Sequence, residues 1–153
     1  MNLLQSLKNL LLPSAEPLPS GMDELTVILG LLVEAAMADQ QLDELERATL
    51  LEWLAGRGIA REEAERLLHF ALAEQQESTS LHPLTSWVAR NLDRPQRLDL
   101  LRQLWRVVLA DGKLDPWEEA LMRKLADLIH MPHSAYIQTK LDVQQALERT
   151  TRP

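Results

Sequence analysis

Cysteine is absent from the 153 residues. Its absence removes disulfides, thiolate metal sites, iron–sulfur clusters and cysteine nucleophiles together, and it fits a cytoplasmic chain. A chain of this length buries about 70% of its unfolded surface, so its core needs no covalent staple. Glycine is sparse, with five residues, and these form neither a Gly-x-Gly-x-x-Gly run nor a Walker loop. Nucleotide binding by either route is therefore unsupported. No Gly-x-Ser-x-Gly elbow and no His-Glu-x-x-His pair occurs, which leaves an enzyme as the minority reading. Long apolar runs are also missing. The longest, Leu25 to Ala38, is interrupted by Thr26, Gly30 and Glu34 and is too short to cross a bilayer. Cations are outnumbered, 16 Lys and Arg against 23 Asp and Glu, for a net charge of −7. Binding to nucleic acid, which proceeds by neutralising phosphates, is disfavoured. Aromatic residues make up 4%, although four of the six are tryptophan.

What the chain has in abundance is leucine, 33 residues against ten Val and Ile combined. Unbranched side chains lose little rotamer freedom in helices, whereas β-branched ones favour strands. The composition predicts an all-α domain with a leucine core. Spacing and breakers divide the chain further. Residues 1–12 form an amphipathic segment with Leu3, Leu4, Leu7, Leu10 and Leu11 on one face, and 13–22 a proline-rich linker. A helical body follows over 23–150. Its helices are expected at about 23–38, 43–55, 61–76, 84–91, 95–110, 116–130 and 134–149. The 1–12 segment reads as a packing helix in preference to a membrane-surface one, since one lysine attracts anionic lipid weakly. Any membrane contact would be peripheral, at the inner membrane.

The body is duplicated. Leu32–Ala48 aligns without gaps on Leu104–Ala120, an offset of 72 residues, with identities at Leu32/Leu104, Ala38/Ala110, Asp39/Asp111, Leu42/Leu114, Asp43/Asp115, Glu46/Glu118 and Ala48/Ala120. The same register carries Ile59 onto Met131. Two three-helix halves, about 23–76 and 95–149, are expected to pack about a pseudo-twofold axis, with the 84–91 helix between them.

Each copy contains Ala-Asp-x-x-Leu-Asp-x-x-Glu, first Ala38 to Glu46 and then Ala110 to Glu118. Helix capping explains four of these six acids. Asp43 and Asp115 stand at N-cap positions, and Glu46 and Glu118 at N3, each pair an Asp version of the capping box worth about 1 kcal/mol. Pro116 at N1 is a favoured helix starter. Asp39 and Asp111 are left over. Both follow the negative end of a helix dipole, where an anion is mildly unfavourable. Asp111-Gly112 is ordinary turn chemistry, while Asp39-Gln40 is a weaker turn. Three carboxylates per loop, placed twice, offer oxygen ligands to a divalent cation. The candidate donors are Asp39, Asp43, Glu46, Asp111, Asp115 and Glu118. A hard, all-carboxylate set favours Ca²⁺, Mg²⁺ or Mn²⁺ over softer metals. The spacing differs from the EF-hand, which needs six ligand positions and a central Gly. It differs equally from the di-iron Glu-x-x-His pattern, to which only Asp127-x-x-His130 comes near.

The helix–Ala-Asp-Gly-x-x-Asp-x-x-Glu–helix element resembles the signature of the TerB-like family, named for tellurite resistance and related to the N-terminal segment of a membrane-anchored DnaJ-type co-chaperone. The similarity covers roughly Asp23 to Leu141. The second copy fits the pattern well, while the first carries Gln40 where the family often has Gly. The resemblance implies a helical fold with pseudo-twofold halves and an acidic cluster holding a divalent metal. It also implies work in stress-response or membrane-associated assemblies rather than catalysis. Tellurite itself is not read as a ligand, because no thiol is present to handle it.

Other features have plainer explanations. His130-x-x-His133 spans Pro132, so the two rings need not share a face, and His130 near a helix end is favoured by the dipole. Trp53, Trp105 and Trp117 fall in apolar stripes and are expected in the core, whereas Trp87 could mark a protein-contact surface. Five arginines between Arg90 and Arg106 against two aspartates give a local charge of +3, read first as a solvated helix face. Three functions follow in order: a non-catalytic, divalent-metal-binding TerB-like domain with an unknown protein partner; a metal-free adaptor whose acids are helix caps; and a metal-dependent hydrolase.

Overall fold

The structure, a computed structural model, describes residues 22–77 and 81–151. The expected 1–12 helix and most of the 13–22 linker lie outside these residues. Seven α-helices and no strand occur among the described residues: α1 (Met22–Ala36), α2 (Glu44–Gly56), α3 (Arg61–Glu77), α4 (His82–Asn91), α5 (Arg94–Val108), α6 (Pro116–Leu128) and α7 (His133–Thr151). The all-α expectation holds.

The duplication is visible in the helix bounds. Adding 72 to the limits of α1 gives those of α5, and adding it to α2 gives α6. The start of α3 maps likewise onto the start of α7, which runs two residues further. Only α4 has no counterpart. The packing repeats as well. α1 lies against its mate α5; α1 also meets α6, and α5 meets α2, the reciprocal contact that a twofold axis requires. Within each half the first helix packs on the third, α1 on α3 and α5 on α7.

α1 forms the centre because it is apolar almost all round. Val27, Leu31, Leu32, Val33, Ala35 and Ala36 are fully buried. Gly30 admits α4 closely: a Cβ there would lie 3.1 Å from Leu84 Cδ1. In the second half Trp105 is fully buried, and its Nε1 donates to Thr139 Oγ1 at 3.1 Å. Its ring packs at 5.1 Å from that of Tyr136. Trp105 is thus core, as expected.

Trp117 is not. It is 72% exposed, the largest exposure of any large apolar side chain among the described residues. It sits at N2 of α6, whose buried stripe runs through Glu118, Met122, Leu125 and Ala126. One residue of helix turns the side chain by about 100°, enough to move Trp117 off that stripe. Arg97 also departs from the solvated face expected of it. Its guanidinium donates to the carbonyls of Ile129 at 2.9 Å and His130 at 3.4 Å, closing the C-terminus of α6.

Candidate metal centre

The two acidic loops share their turns, while the closest amide to the capping aspartate is that of N3 at Asp43 and that of N2 at Asp115. α1 closes with Gln40 N–H donating to Met37 O at 2.8 Å, and α5 with Gly112 N–H donating to Leu109 O at 2.9 Å. Both turns need a left-handed residue, and both have one: φ is 66° at Gln40 and 78° at Gly112. Glutamine therefore takes the glycine conformation, and the first loop is as tight as the second. The same offset pairs Gly58 (φ 82°) with His130 (φ 61°) after α2 and α6. His130 is accordingly a left-handed helix terminator.

Asp39 and Asp111 have a structural task in these turns. Asp39 Oδ1 accepts from Gln41 N–H at 3.0 Å, and Asp111 Oδ1 accepts from Lys113 N–H at 2.9 Å. Each is an Asx turn that employs one carboxylate oxygen. Leu42 and Leu114 then pack against the core and anchor the loops. The helix starts follow the expected boxes. Asp43 Oδ1 accepts from Glu46 N–H at 2.7 Å, and Glu46 Oε1 accepts from Asp43 N–H at 3.2 Å. In the second copy Asp115 Oδ1 accepts from Trp117 N–H at 2.7 Å, and Glu118 Oε1 accepts from Asp115 N–H at 3.0 Å.

Capping leaves a residue of unexplained charge. Glu46 and Glu118 are buried, with 3% and 6% of their surface exposed. Glu46 Oε2 is buried with no hydrogen-bond partner. An ionised oxygen so placed is strongly unfavourable, because burial removes its water and nothing replaces it. The Glu46 carboxyl is accordingly pushed up to about 8, first by desolvation, against which the Asp43 amide works, and then by the charges of Asp43, Glu118 and Asp39. The Glu118 carboxyl is pushed up to about 7, again first by desolvation, with the Asp115 amide opposing, and then by Asp39, Asp111 and Asp115.

The charges of these acids act between the halves as well as within them. Glu46 feels Glu118 and Asp39; Glu118 feels Asp39 and Asp111. Four of the six, Asp39, Glu46, Asp111 and Glu118, form one electrostatic neighbourhood across the pseudo-twofold. Asp43 and Asp115 act on the buried glutamate of their own copy. The donors have the oxygen chemistry of a hard cation site and include one orphaned buried oxygen. As they stand, no three His, Asp or Glu side chains among the described residues are grouped so as to hold an ion.

A second feature borders the loops. Glu34, Met37, Ala38 and Gln40 face Trp117, Ala120, Leu121 and Lys124 of α6 across an open groove of about 400 Å³, with Gln75 of α3 at its edge. The Glu34 carboxyl is raised by burial, partly offset by its hydrogen bond with Gln75. The residue that precedes Glu46, Leu45, is the repeat mate of Trp117 and is itself 54% exposed.

The family model for the tellurite resistance protein TerB matches residues 25–141. The chain belongs to the TerB family. The match spans both acidic loops and five of the seven helices in full, beginning within α1 and ending within α7. Comparison with curated proteins and with solved structures gave no significant match. A TerB-family assignment accounts for the helical body and for its tellurite-resistance type. No helix among the described residues is long and apolar enough to cross a membrane.

Proposed function

We propose that this TerB-family domain is a non-catalytic module that binds one divalent cation between its two acidic loops, within a stress-response or membrane-associated assembly. The observation that carries the reading is Glu46 Oε2, buried without a hydrogen-bond partner and within the field of the Glu118 carboxyl of the other half. A cation such as Ca²⁺, Mg²⁺ or Mn²⁺ would supply the missing partner and offset the mutual repulsion of the acids. Glu46 and Glu118 would be the inner donors, and Asp39 and Asp111 the rim, each through the oxygen its Asx turn does not employ. Asp43 and Asp115 would orient the glutamates from behind. Because no three donors are grouped as they stand, ion uptake would be coupled to a shift of these side chains.

The second reading is a metal-free adaptor. It is favoured by the hydrogen bonds that already engage one oxygen of every one of the six acids. Calorimetric titration of EDTA-treated protein with Ca²⁺, Mg²⁺ and Mn²⁺ separates the two. The cation reading expects saturable binding that the Asp39→Asn/Asp111→Asn double variant loses, since Asn preserves the Asx turn but not the charge. Absence of binding up to millimolar ion returns the acids to capping. The hydrolase reading would require phosphoester turnover with Mn²⁺ that the same double variant abolishes. A weak peripheral membrane contact through residues 1–12 belongs to the same proposal. Flotation with anionic liposomes, compared with a Leu7→Ser/Leu11→Ser variant, tests it.

A further inference from the structure

A tryptophan in water forgoes the burial of one of the largest apolar surfaces any residue owns. Trp117 does so at 72% exposure. Its place on the surface is set by the capping box around its backbone: its main-chain N–H donates to Asp115 Oδ1, and its neighbour Glu118 closes the box. It forms one wall of the open groove with Leu121, opposite Met37 and Ala38. The groove, at about 400 Å³, has the size of a small-ligand pocket but stays open along its length, the form that takes side chains of a peptide.

Charge tells what kind of peptide. The loops beside the groove, residues 38–46 and 110–118, carry seven acids and one lysine, and five of the acids lie outside the core. Glu34 lies within the groove, and Lys124 is the one cation among its lining residues. We propose that this groove docks a cationic amphipathic segment of a partner protein, an apolar side chain seated on Trp117 and flanking Lys or Arg residues set against the loop acids. A guanidinium or ammonium gains further from an indole face. A second copy docking through this same groove would bring an equally acidic face and be repelled. The chain's own residues 1–21 carry one Lys and one Glu and lack the complementary charge. The proposal does not depend on whether a metal ion binds.

The test uses the full chain in EDTA buffer, so that failure of the cation reading leaves it intact. The probe is a synthetic helical-spaced Leu/Lys peptide, with its Leu/Glu counterpart as control. The Lys peptide is expected to bind, to weaken as salt rises, and to lose roughly tenfold or more in affinity in Trp117→Ala. Trp117→Phe should retain most of the binding, and Ile137→Ala, which removes an exposed apolar side chain of α7 outside the groove, all of it. The Glu peptide should not bind. Three results would overturn the proposal: no binding of the Lys peptide; equal binding by Trp117→Ala and Ile137→Ala, which marks unspecific adhesion; or a roughly tenfold gain in Leu7→Ser/Leu11→Ser, which makes the chain's own N-terminus the occupant.

Discussion

Gln40 and Gly112, 72 residues apart, hold the same left-handed backbone at φ 66° and 78°. The duplication has kept a conformation while changing the residue that adopts it. A side chain in this region is disfavoured by about 1–2 kcal/mol relative to the right-handed one, while glycine is free to enter it. The two positions are thus a matched pair for measuring what a side chain costs in this turn.

Gln40→Gly should stabilise the fold by about 0.5–1 kcal/mol, the relief of strain exceeding the added entropy of the unfolded chain. Gly112→Gln should destabilise it by about 1 kcal/mol. A Cβ at Gly112 meets nothing within 4 Å, so that loss would be backbone strain alone. Urea midpoints at unchanged slope measure both.

Arg97→Met should destabilise by about 1–2 kcal/mol, because the guanidinium satisfies the last carbonyls of α6 with charge-assisted bonds. Hydrogen exchange should then rise at the C-terminal turn of α6 before the rest of the helix. Uniform weakening of all helices would show that Arg97 acts elsewhere.

The pH dependence of stability follows from the two buried glutamates. In the folded chain their carboxyls stand at about 8 and about 7, above the ordinary 4.5 of the unfolded chain. Below pH 4.5 both states hold the protons, and the native arrangement is at its full advantage. As pH rises the unfolded chain releases protons that the folded one retains, so stability falls, and the loss is complete above about 8. In EDTA, the melting temperature should decline from pH 5 to pH 8. Glu46→Gln keeps the amide-accepting oxygen that the capping box uses and removes the charge, so it should flatten the decline. An equal slope in wild type and Glu46→Gln would mean that Glu46 is ionised in the fold without penalty.

Much of this was legible beforehand. The leucine excess, the 72-residue offset and the Asp-x-x-Glu boxes led to the helices, their mates and their caps, and Asp43, Glu46, Asp115 and Glu118 occupy the positions assigned to them. The task of Asp39 and Asp111 was only half visible, because the turn around each carboxylate depends on the next residue adopting a left-handed backbone, and Gln40 gives no such signal. Trp117 was misplaced for a geometric reason. In the first turn of a helix the core stripe is set by the buried N3 glutamate, and apolarity alone cannot tell N2 from N3. Arg97 reaches a carbonyl 32 residues away, a contact no local pattern contains.

The central claim is that the two loops make one shared site. Ion stoichiometry in the single-loop variants Asp39→Asn and Asp111→Asn tests it most directly, by calorimetric titration of each against the wild type with Ca²⁺, Mg²⁺ and Mn²⁺. A shared site predicts one ion per wild-type chain and a large loss of affinity from either substitution alone. Two ions per chain, with each variant losing one and keeping the other, would contradict it.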